Sequence, residues 1–598
     1  MTGVGNFGKV TGSVHLVLCD SARCNLKSQK RIVMTDLKVF SEKEDLEPLK
    51  PKVTLAEITF SGGDKVELSE NEKVILVGPN NSGKSQSLRE IVQICQSGDA
   101  NQCLVVKDIK LNKNGSSQEL LAYLRMNADL IDRHFQMSDY LIHESHVQYW
   151  DHSPYLINGL HVGSIKNITA NERLNICSQQ DSISPGQFKS KPQHILYDDE
   201  ELMERVSGLF RKAFSKDLMF DFRGGNKLPI HVGQIRKGEG DVDRVGNNYV
   251  SKVRNNPLLD KQGDGIKSYA GILFETVASE RDITLLDEPE AFLHPPQMRK
   301  LGETLSSEVK GQLIVATHSS DILRGFLEGT KGKVRILRIQ REGDANVVYE
   351  ATSETIKALW EKPELRYSNA LEGIFHEQTI ICEDDSDCRL VNSAADYINI
   401  NSATPFKDTS YVPTGGKHGM PKVASVLRKI GVPIKAIFDI DFLSERDLVE
   451  NAVTAFGGNW ADVKVLWERV DSAVSGGIKP KSVEDIKSEI IQTLQNAEKE
   501  KLPKGDIAAL MKQGSAWNEV KKFGEIAIPK GQAQTDYKAL KSALENLGIF
   551  VIPVGEIENF CPEIGLHGPK FVAKLLTDIP LSDSRLARLR DFVEYVHR

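Results

Sequence analysis

The stretch VILVGPNNSGKSQSLREI, Val74 to Ile91, constrains the fold more than any other part of this sequence. Within it, GPNNSGKS fits the pattern GxxxxGK[ST], with Gly78, Gly83, Lys84 and Ser85 at the fixed places. Glycines let successive backbone N–H groups turn toward a chain of phosphates, and the following helix presents the positive end of its dipole to the same charge. Lys84 is then placed for the β- and γ-phosphates and Ser85 for Mg²⁺, with Asn80, Asn81 and Ser82 completing the cradle. Such a loop works between a buried parallel strand and a helix, and both are legible. KVILVG is a nearly continuous apolar run, and KSQSLREIVQIC has helical spacing. The expectation is an α/β nucleotide-binding domain with ATP as cofactor.

Upstream, VTLAEITF and DKVELSE alternate like a half-buried antiparallel pair joined by SGGD. Downstream, DITLLDEPEAFLHP carries an apolar strand to Asp287 and Glu288 at its C-terminal end, where open α/β sheets bind ligands. Asp287 is expected to hold Mg²⁺, directly or through water, and Glu288 to polarise the attacking water. LIVATHSSDIL reads as another buried strand, ending at His318, which is placed to sense the γ-phosphate. Between about 100 and 240 the periodicity weakens. SQELLAYLRMNADLIDRHF reads as one amphipathic helix and DDEELMERVSGLFRKAFSKDL as a better one, with loop-rich sequence between them. This range is expected to form an insertion or dimerisation arm.

A second kind of chemistry begins some 300 residues later. QTIICEDDSDCRLVNSAADYI reads as strand, turn and helix, with Glu383 at the strand end and Asp387 in the first helical turn. IKAIFDIDFLSE is a further buried strand ending in Asp439 and Asp441, which at i and i+2 share a side. Between them TGGKHG, Thr414 to Gly419, reads as a tight turn after an intermediate strand. In VIPVGEIENFCPEIGLHGPKFV, Glu556 and Glu558 repeat the i, i+2 spacing, and Lys570 follows the HGP turn. Gathering carboxylates is costly unless a cation neutralises them, and oxygen-only donors suit Mg²⁺ or Mn²⁺. Glu383, Asp387, Asp439, Asp441 and Glu558 are the expected metal ligands. A lysine beside them could stabilise a pentavalent phosphate; Lys570 is the first choice, with Lys521 and Lys522 as rivals.

At 598 residues the chain exceeds one core, and roughly two to four domains are expected. We place an N-terminal extension at 1–33, the ATPase domain at 34–370 and a metal-binding domain at 371–598. A net charge of −7 means that any nucleic-acid surface is local. The eight cysteines form no CxxC pair, and no apolar run reaches the ~20 residues that span a bilayer. A reduced, cytoplasmic protein away from membranes is the expectation.

The order of loop, acidic strand and histidine resembles the ABC/SMC-type ATPases, a RecF-like head in particular. That resemblance implies two heads sandwiching two nucleotides, hence a homodimer. It also implies a signature segment, here QGDGIKSYAGILFETVA with Ser268 touching γ-phosphate in trans, although it departs from the transporters' LSGGQ. A glutamine loop is implied too, with Gln148 as candidate. The acidic segments together resemble a TOPRIM domain, in which the position matched by Glu383 is a metal ligand or general acid/base and the DxD matched by Asp439 and Asp441 holds metals. An ABC-type ATPase followed by TOPRIM is the arrangement of the OLD (overcoming lysogenization defect) nucleases. It implies Mg²⁺-dependent cutting or nicking of DNA under nucleotide control. The tail is similar to members in Gabija and retron anti-phage systems, which implies a partner such as a helicase or a reverse transcriptase with its msDNA, and a dimer or higher oligomer. The rival reading is a RecF-like repair ATPase whose TOPRIM domain only binds DNA.

Overall fold

A computed structural model describes residues 49–137, 140–184, 187–234, 243–361, 369–477, 481–497, 502–512 and 515–598. The expected extension at 1–33 lies outside the described residues.

The first half is built on a six-stranded sheet. Its order from edge to edge is Ala345–Glu350, Arg335–Glu342, Lys73–Val77, Gln312–Ala316, Ile283–Asp287, Ile165–Ile168. Every pairing is parallel except that of the outer hairpin. The P-loop strand therefore has a neighbour on each side, which is why KVILV is apolar throughout. Successive residues serve opposite cores: Val74 and Leu76 join Leu285, Ile314 and Leu337 on one face, and Ile75 and Val77 join Leu286, Val315 and Ile336 on the other.

A three-stranded antiparallel sheet covers the first of these faces. Lys52–Phe60 pairs with Lys65–Glu67, as the alternation predicts, but its longer partner is Val106–Asn114. That strand lies inside the expected insertion, and so does Ile165–Ile168, an edge of the main sheet. Helix Glu200–Phe214 also buries Met203, Val206, Leu209 and Phe210 in the main core. These two strands and this helix of the expected insertion are thus woven into the fold of the first half. The helix predicted over SQELLAYLRMNADLIDRHF stops at Asn127. The chain then turns through Asp132 and Arg133, both at positive φ, to form the antiparallel strands Asp129–Ile131, His134–Met137 and Tyr140–His143.

The second half is a four-stranded parallel sheet in the order Thr409–Pro413, Gln378–Cys382, Ile434–Phe438, Ile549–Val551. One face packs Ile380, Cys382, Ile437 and Phe550 against helices Asp385–Asn401, Pro569–Asp578 and Ala587–His597. The other face contributes Ile381, Val412, Ala436, Phe438 and Val551 to the same hydrophobic core that holds Ile75 and Leu286. The two halves therefore share one continuous apolar interior. Arg338 crosses the seam from the P-loop side. Its fully buried guanidinium donates to the carbonyls of Ile374 (3.2 Å), His376 (2.9 Å) and Gly431 (2.7 Å). The Ser320 hydroxyl donates to Glu372 across the same seam.

Candidate active sites

The P-loop opens onto a cavity of about 760 Å³ lined by Asn80, Asn81, Ser82, Gly83, Lys84, Ser85, Glu288 and His318, with Arg89, Arg341, Asp344 and Asn346 around them. Gly78 sits at φ +139, where an added Cβ would lie 2.2 Å from the Ile339 carbonyl oxygen, so no side chain fits there. Asn346 braces the loop from the hairpin, its side-chain amide donating to the Ser82 carbonyl at 2.6 Å. Lys84 Nζ donates to the carbonyls of Gly78 (2.9 Å) and Pro79 (2.8 Å). Burial pushes its pKa down to about 8, against the pull of Glu290, Glu288 and Asp287. Ser85 Oγ donates to Asp287 Oδ1 at 2.7 Å, so the two expected Mg²⁺ ligands meet.

His318 Nε2 stands 3.9 Å from Glu288. Burial, with Lys84 adding to it, pushes the imidazole down to about 4, so at pH 7 it is a neutral ring with one N–H to donate. Two supporting residues escaped the sequence reading. Glu290 accepts from Thr317 Oγ1 (2.8 Å) and from the His318 N–H (2.6 Å), fixing the histidine from behind. Arg173 is fully buried and donates to Asp287 O (2.8 Å) and Glu288 O (2.7 Å). These bonds hold Glu288 in its unusual positive-φ conformation (φ 45). A solitary Arg in the short helix Ala170–Asn175 carries no periodic or motif signal, so nothing in the sequence singles it out.

Two expectations fail here. Ser268 is fully buried and accepts from Arg173 Nε at 2.8 Å. It braces the acidic turn through that arginine and cannot touch a nucleotide in trans. The helix Asp264–Leu273 buries every residue from Ser268 onward, leaving only its first turn outward. Gln148 is exposed beside the short helix Tyr149–His152 and is not among the residues lining the cavity.

The second site forms where three stretches meet at the C-terminal end of the four-stranded sheet. Glu383 follows the strand Gln378–Cys382, and its carbonyl accepts from the Gly416 N–H at 2.9 Å, so the TGGKHG turn steadies it. Asp387 occupies the first turn of the next helix, within a capping box closed by Asp384. Asp439 and Asp441 do not share a strand face as expected. The strand ends at Phe438, Asp439 is an extended cap, and Asp441 lies in the following 3₁₀ turn. Both still converge, because one ammonium reaches each: Lys521 Nζ is 2.9 Å from Asp439, 3.3 Å from Asp441 and 3.8 Å from Glu556. Lys417, from the glycine turn, bridges Asp441 (3.2 Å) and Glu445 (2.7 Å). Glu558 accepts from the Gly568 N–H at 2.7 Å.

Lys521 therefore stands where Lys570 was expected. Lys570 is exposed at the start of helix Pro569–Asp578, and among the described residues it makes no ion pair. Lys521 is positioned by backbone-to-backbone packing. Gly555 (φ +105) lies so close that an added Cβ would be 1.9 Å from the Lys521 carbonyl oxygen, and Gly524 (φ +74) packs on Pro553 and Val554 in the same way. The Asn559 amide reaches the carbonyls of Lys521 (3.0 Å) and Val554 (3.0 Å), and Ile440 N donates to Gly555 O at 2.8 Å. A single junction thus sets the aspartates, the lysine and the Glu556–Glu558 loop against one another.

Six carboxylates here face two ammonium groups, and the protonation balance shows it. Burial first, then Asp384 and Asp439, pushes Asp387 up to about 8. Burial pushes Asp439 up to about 7, even against Lys521. Glu383 and Glu556 are raised by burial as well. Burial opposes the charge on Lys521, yet Asp439 and Asp441 outweigh it and hold the ammonium above its ordinary value. Crowded, partly protonated carboxylates already neutralised by a side-chain cation fit a site for hard divalent cations. Glu383, Asp387, Asp439, Asp441, Glu556 and Glu558 are the residues that would hold them.

Comparisons with known proteins match a segment of each half. Residues 374–441 match the family described as "Overcoming lysogenization defect protein-like, TOPRIM domain", and residues 242–324 match an AAA domain family of Type IV TA systems. The Old nuclease of Escherichia phage P2 is 27% identical over 196 residues, covering 31% of this chain and 32% of that protein. The chain thus spans about a third of that relative's length. Among solved structures, an Smc head domain from Pyrococcus furiosus is similar at 12% identity and a TM-score of 0.30, over 52% of this chain and 99% of that one. The SMC head domain from Thermotoga maritima gives 12% and 0.26, over 51% and 100%. The P-loop strand lies between parallel neighbours in the six-stranded sheet and opens onto the nucleotide-sized cavity, as an ABC-type fold requires.

Proposed function

We propose that the chain is an OLD-family protein, an ABC-type ATPase joined to a TOPRIM domain, and acts as an ATP-regulated, divalent-metal-dependent DNA endonuclease that hydrolyses phosphodiester bonds in anti-phage defence. The observation that carries this reading is the gathering of six carboxylates from three distant stretches: Lys521 pairs with Asp439, Asp441 and Glu556, Glu383 lies within its field, Asp387 neighbours Asp439 and Glu383, and Glu558 neighbours Glu556. When bound, Mg²⁺ or Mn²⁺ supplies charge neutralisation for the phosphate and a lowered pKa for water.

The protein's own groups do the rest. Glu383, Asp439 and Asp441 would hold the ions, and the Lys521 ammonium beside them would stabilise the charge that builds on the phosphate. Contacts to DNA phosphates dominate affinity, so binding weakens steeply with salt. In the ATPase half, Lys84 and the loop amides would hold the β- and γ-phosphates, Ser85 and Asp287 would hold Mg²⁺, Glu288 would orient water, and neutral His318 would donate its ring N–H to the γ-phosphate. Two heads closing on nucleotide give the homodimer, and that closure governs access to the TOPRIM centre.

The test is cleavage of supercoiled plasmid by the full chain with Mg²⁺ or Mn²⁺, with and without ATP. Glu383→Ala is expected to abolish nicking while leaving ATP hydrolysis intact. Lys84→Ala is expected to remove the ATP effect on nicking. Nicking that survives Glu383→Ala overturns the assignment, and ATP hydrolysis without cutting in any metal favours a repair ATPase instead.

A further inference from the structure

We propose that His567, together with Glu556 and Glu558, forms a binding site for a divalent first-row transition ion and biases the acidic centre toward such ions over Mg²⁺. The purpose of the site rests on the nuclease reading above, but its occupancy is measurable without it.

His567 was not among the residues singled out by sequence. The chain brings it in by folding back. Gly565 (φ 63) and Gly568 (φ 58) turn the loop through the left-handed region, and the Gly568 N–H binds Glu558 Oε1 at 2.7 Å. That bond leaves His567 Nδ1 3.9 Å from the same Oε1. One ligand atom from each of Glu556, Glu558 and His567 lies within 4.8 Å of the others. Donors about 2.1 Å from one ion can be up to about 4.2 Å apart, so rotation of the His567 side chain brings the set into range. The two carboxylates are 21% and 16% exposed, whereas the imidazole is 80% exposed at the rim and moves without repacking anything.

The donor types decide which ion gains. Glu556 and Glu558 offer oxygen, which serves Mg²⁺ and Mn²⁺ alike. An imidazole nitrogen adds little for Mg²⁺, a hard ion that sheds water reluctantly. It adds more for Mn²⁺ and more again along the first-row series. Glu556 also faces Lys521 at 3.8 Å, so the same carboxylate joins this triad to the Asp439 and Asp441 group. The residues that set metal preference are thereby continuous with those expected to act on phosphate.

The experiment titrates the full-length protein with Mn²⁺, following free ion by electron paramagnetic resonance, and with Mg²⁺ by calorimetry. Wild type is compared with His567→Ala and Glu558→Gln. Loss of the imidazole is expected to weaken one Mn²⁺ site by about tenfold or more and to change Mg²⁺ affinity by less than about twofold. Glu558→Gln is expected to weaken both ions. Superimposable Mn²⁺ isotherms for wild type and His567→Ala overturn the proposal, and so does an equal loss of Mg²⁺ and Mn²⁺ affinity. If Glu383→Ala fails to stop nicking, the nuclease reading falls while the isotherm comparison still stands, so the two failures are distinguishable.

Discussion

At the scale of the residue, the acidic centre makes the protein's stability a function of pH. Unfolded aspartates titrate near ~3.9, whereas Asp439 is raised to about 7 and Asp387 to about 8. The folded state thus holds more protons between those values. The resulting stability is fully present below about pH 4 and is lost as pH rises through 7 to 8. His161, His318 and His597 are lowered by burial and run in the opposite sense, so the informative quantity is a difference. In chelator, melting temperatures between pH 5 and 8 should fall more steeply with pH for wild type than for Asp439→Asn. Parallel curves would contradict the raised pKa. Added Mg²⁺ should recover more stability at pH 8 than at pH 5, since it favours the deprotonated carboxylates. Glu383 and Asp439 are legible in the sequence because each follows directly on an apolar run, and Asp387 and Asp441 because they lie within four residues of them. Lys521 is only one rival among several lysines there, since what distinguishes it is the approach of Gly555, a contact across 34 residues.

At the scale of the element, the helix Ala516–Phe523 delivers Lys521 only because two glycines let backbones touch. Gly555→Ala places a Cβ on the Lys521 carbonyl and a side chain at φ +105. A cost on the order of 2–4 kcal/mol follows, together with loss of nicking at unchanged ATP hydrolysis. Calorimetry alongside the two activity assays checks it, and a stable variant with full nicking would show that the junction does not position the lysine. Elements with a strong period read correctly: the P-loop strand, the helix Lys84–Ser97 and the strands ending at Asp287, Ala316, Cys382 and Phe438. The region after Asn127 did not, because Leu130 and Ile131 carry an apolar helical spacing yet lie exposed on a small sheet. Ser268 misled for the opposite reason. Its distance from the acidic strand fits a signature helix, but spacing along a chain does not say which face of a helix is buried.

At the scale of the whole molecule, the ATPase-type and TOPRIM-type motifs were each legible, because each begins its own strand–turn–helix. Their shared interior was not, since a run of apolar residues does not reveal which other run it meets. Leu371, Ile374 and Phe375 sit in the same core as Leu323 and Phe326. Residues 371–598 produced alone would bare that surface and leave the carbonyls of Ile374, His376 and Gly431 without the Arg338 guanidinium. That fragment is expected to be insoluble, or to bind a hydrophobic dye with no cooperative melt, until the ATPase half is supplied in the same cell. A soluble, cooperatively folding fragment would show the seam to be dispensable. The carbonyl-bound Arg338 stands on the strand next to the one that ends in the P-loop, with Val77 as its partner in register. A guanidinium held by rigid carbonyls has no slack to absorb a displacement. Any shift of that strand on nucleotide closure must therefore be passed to the TOPRIM sheet or resisted by it, which makes the two chemistries mechanically answerable to each other.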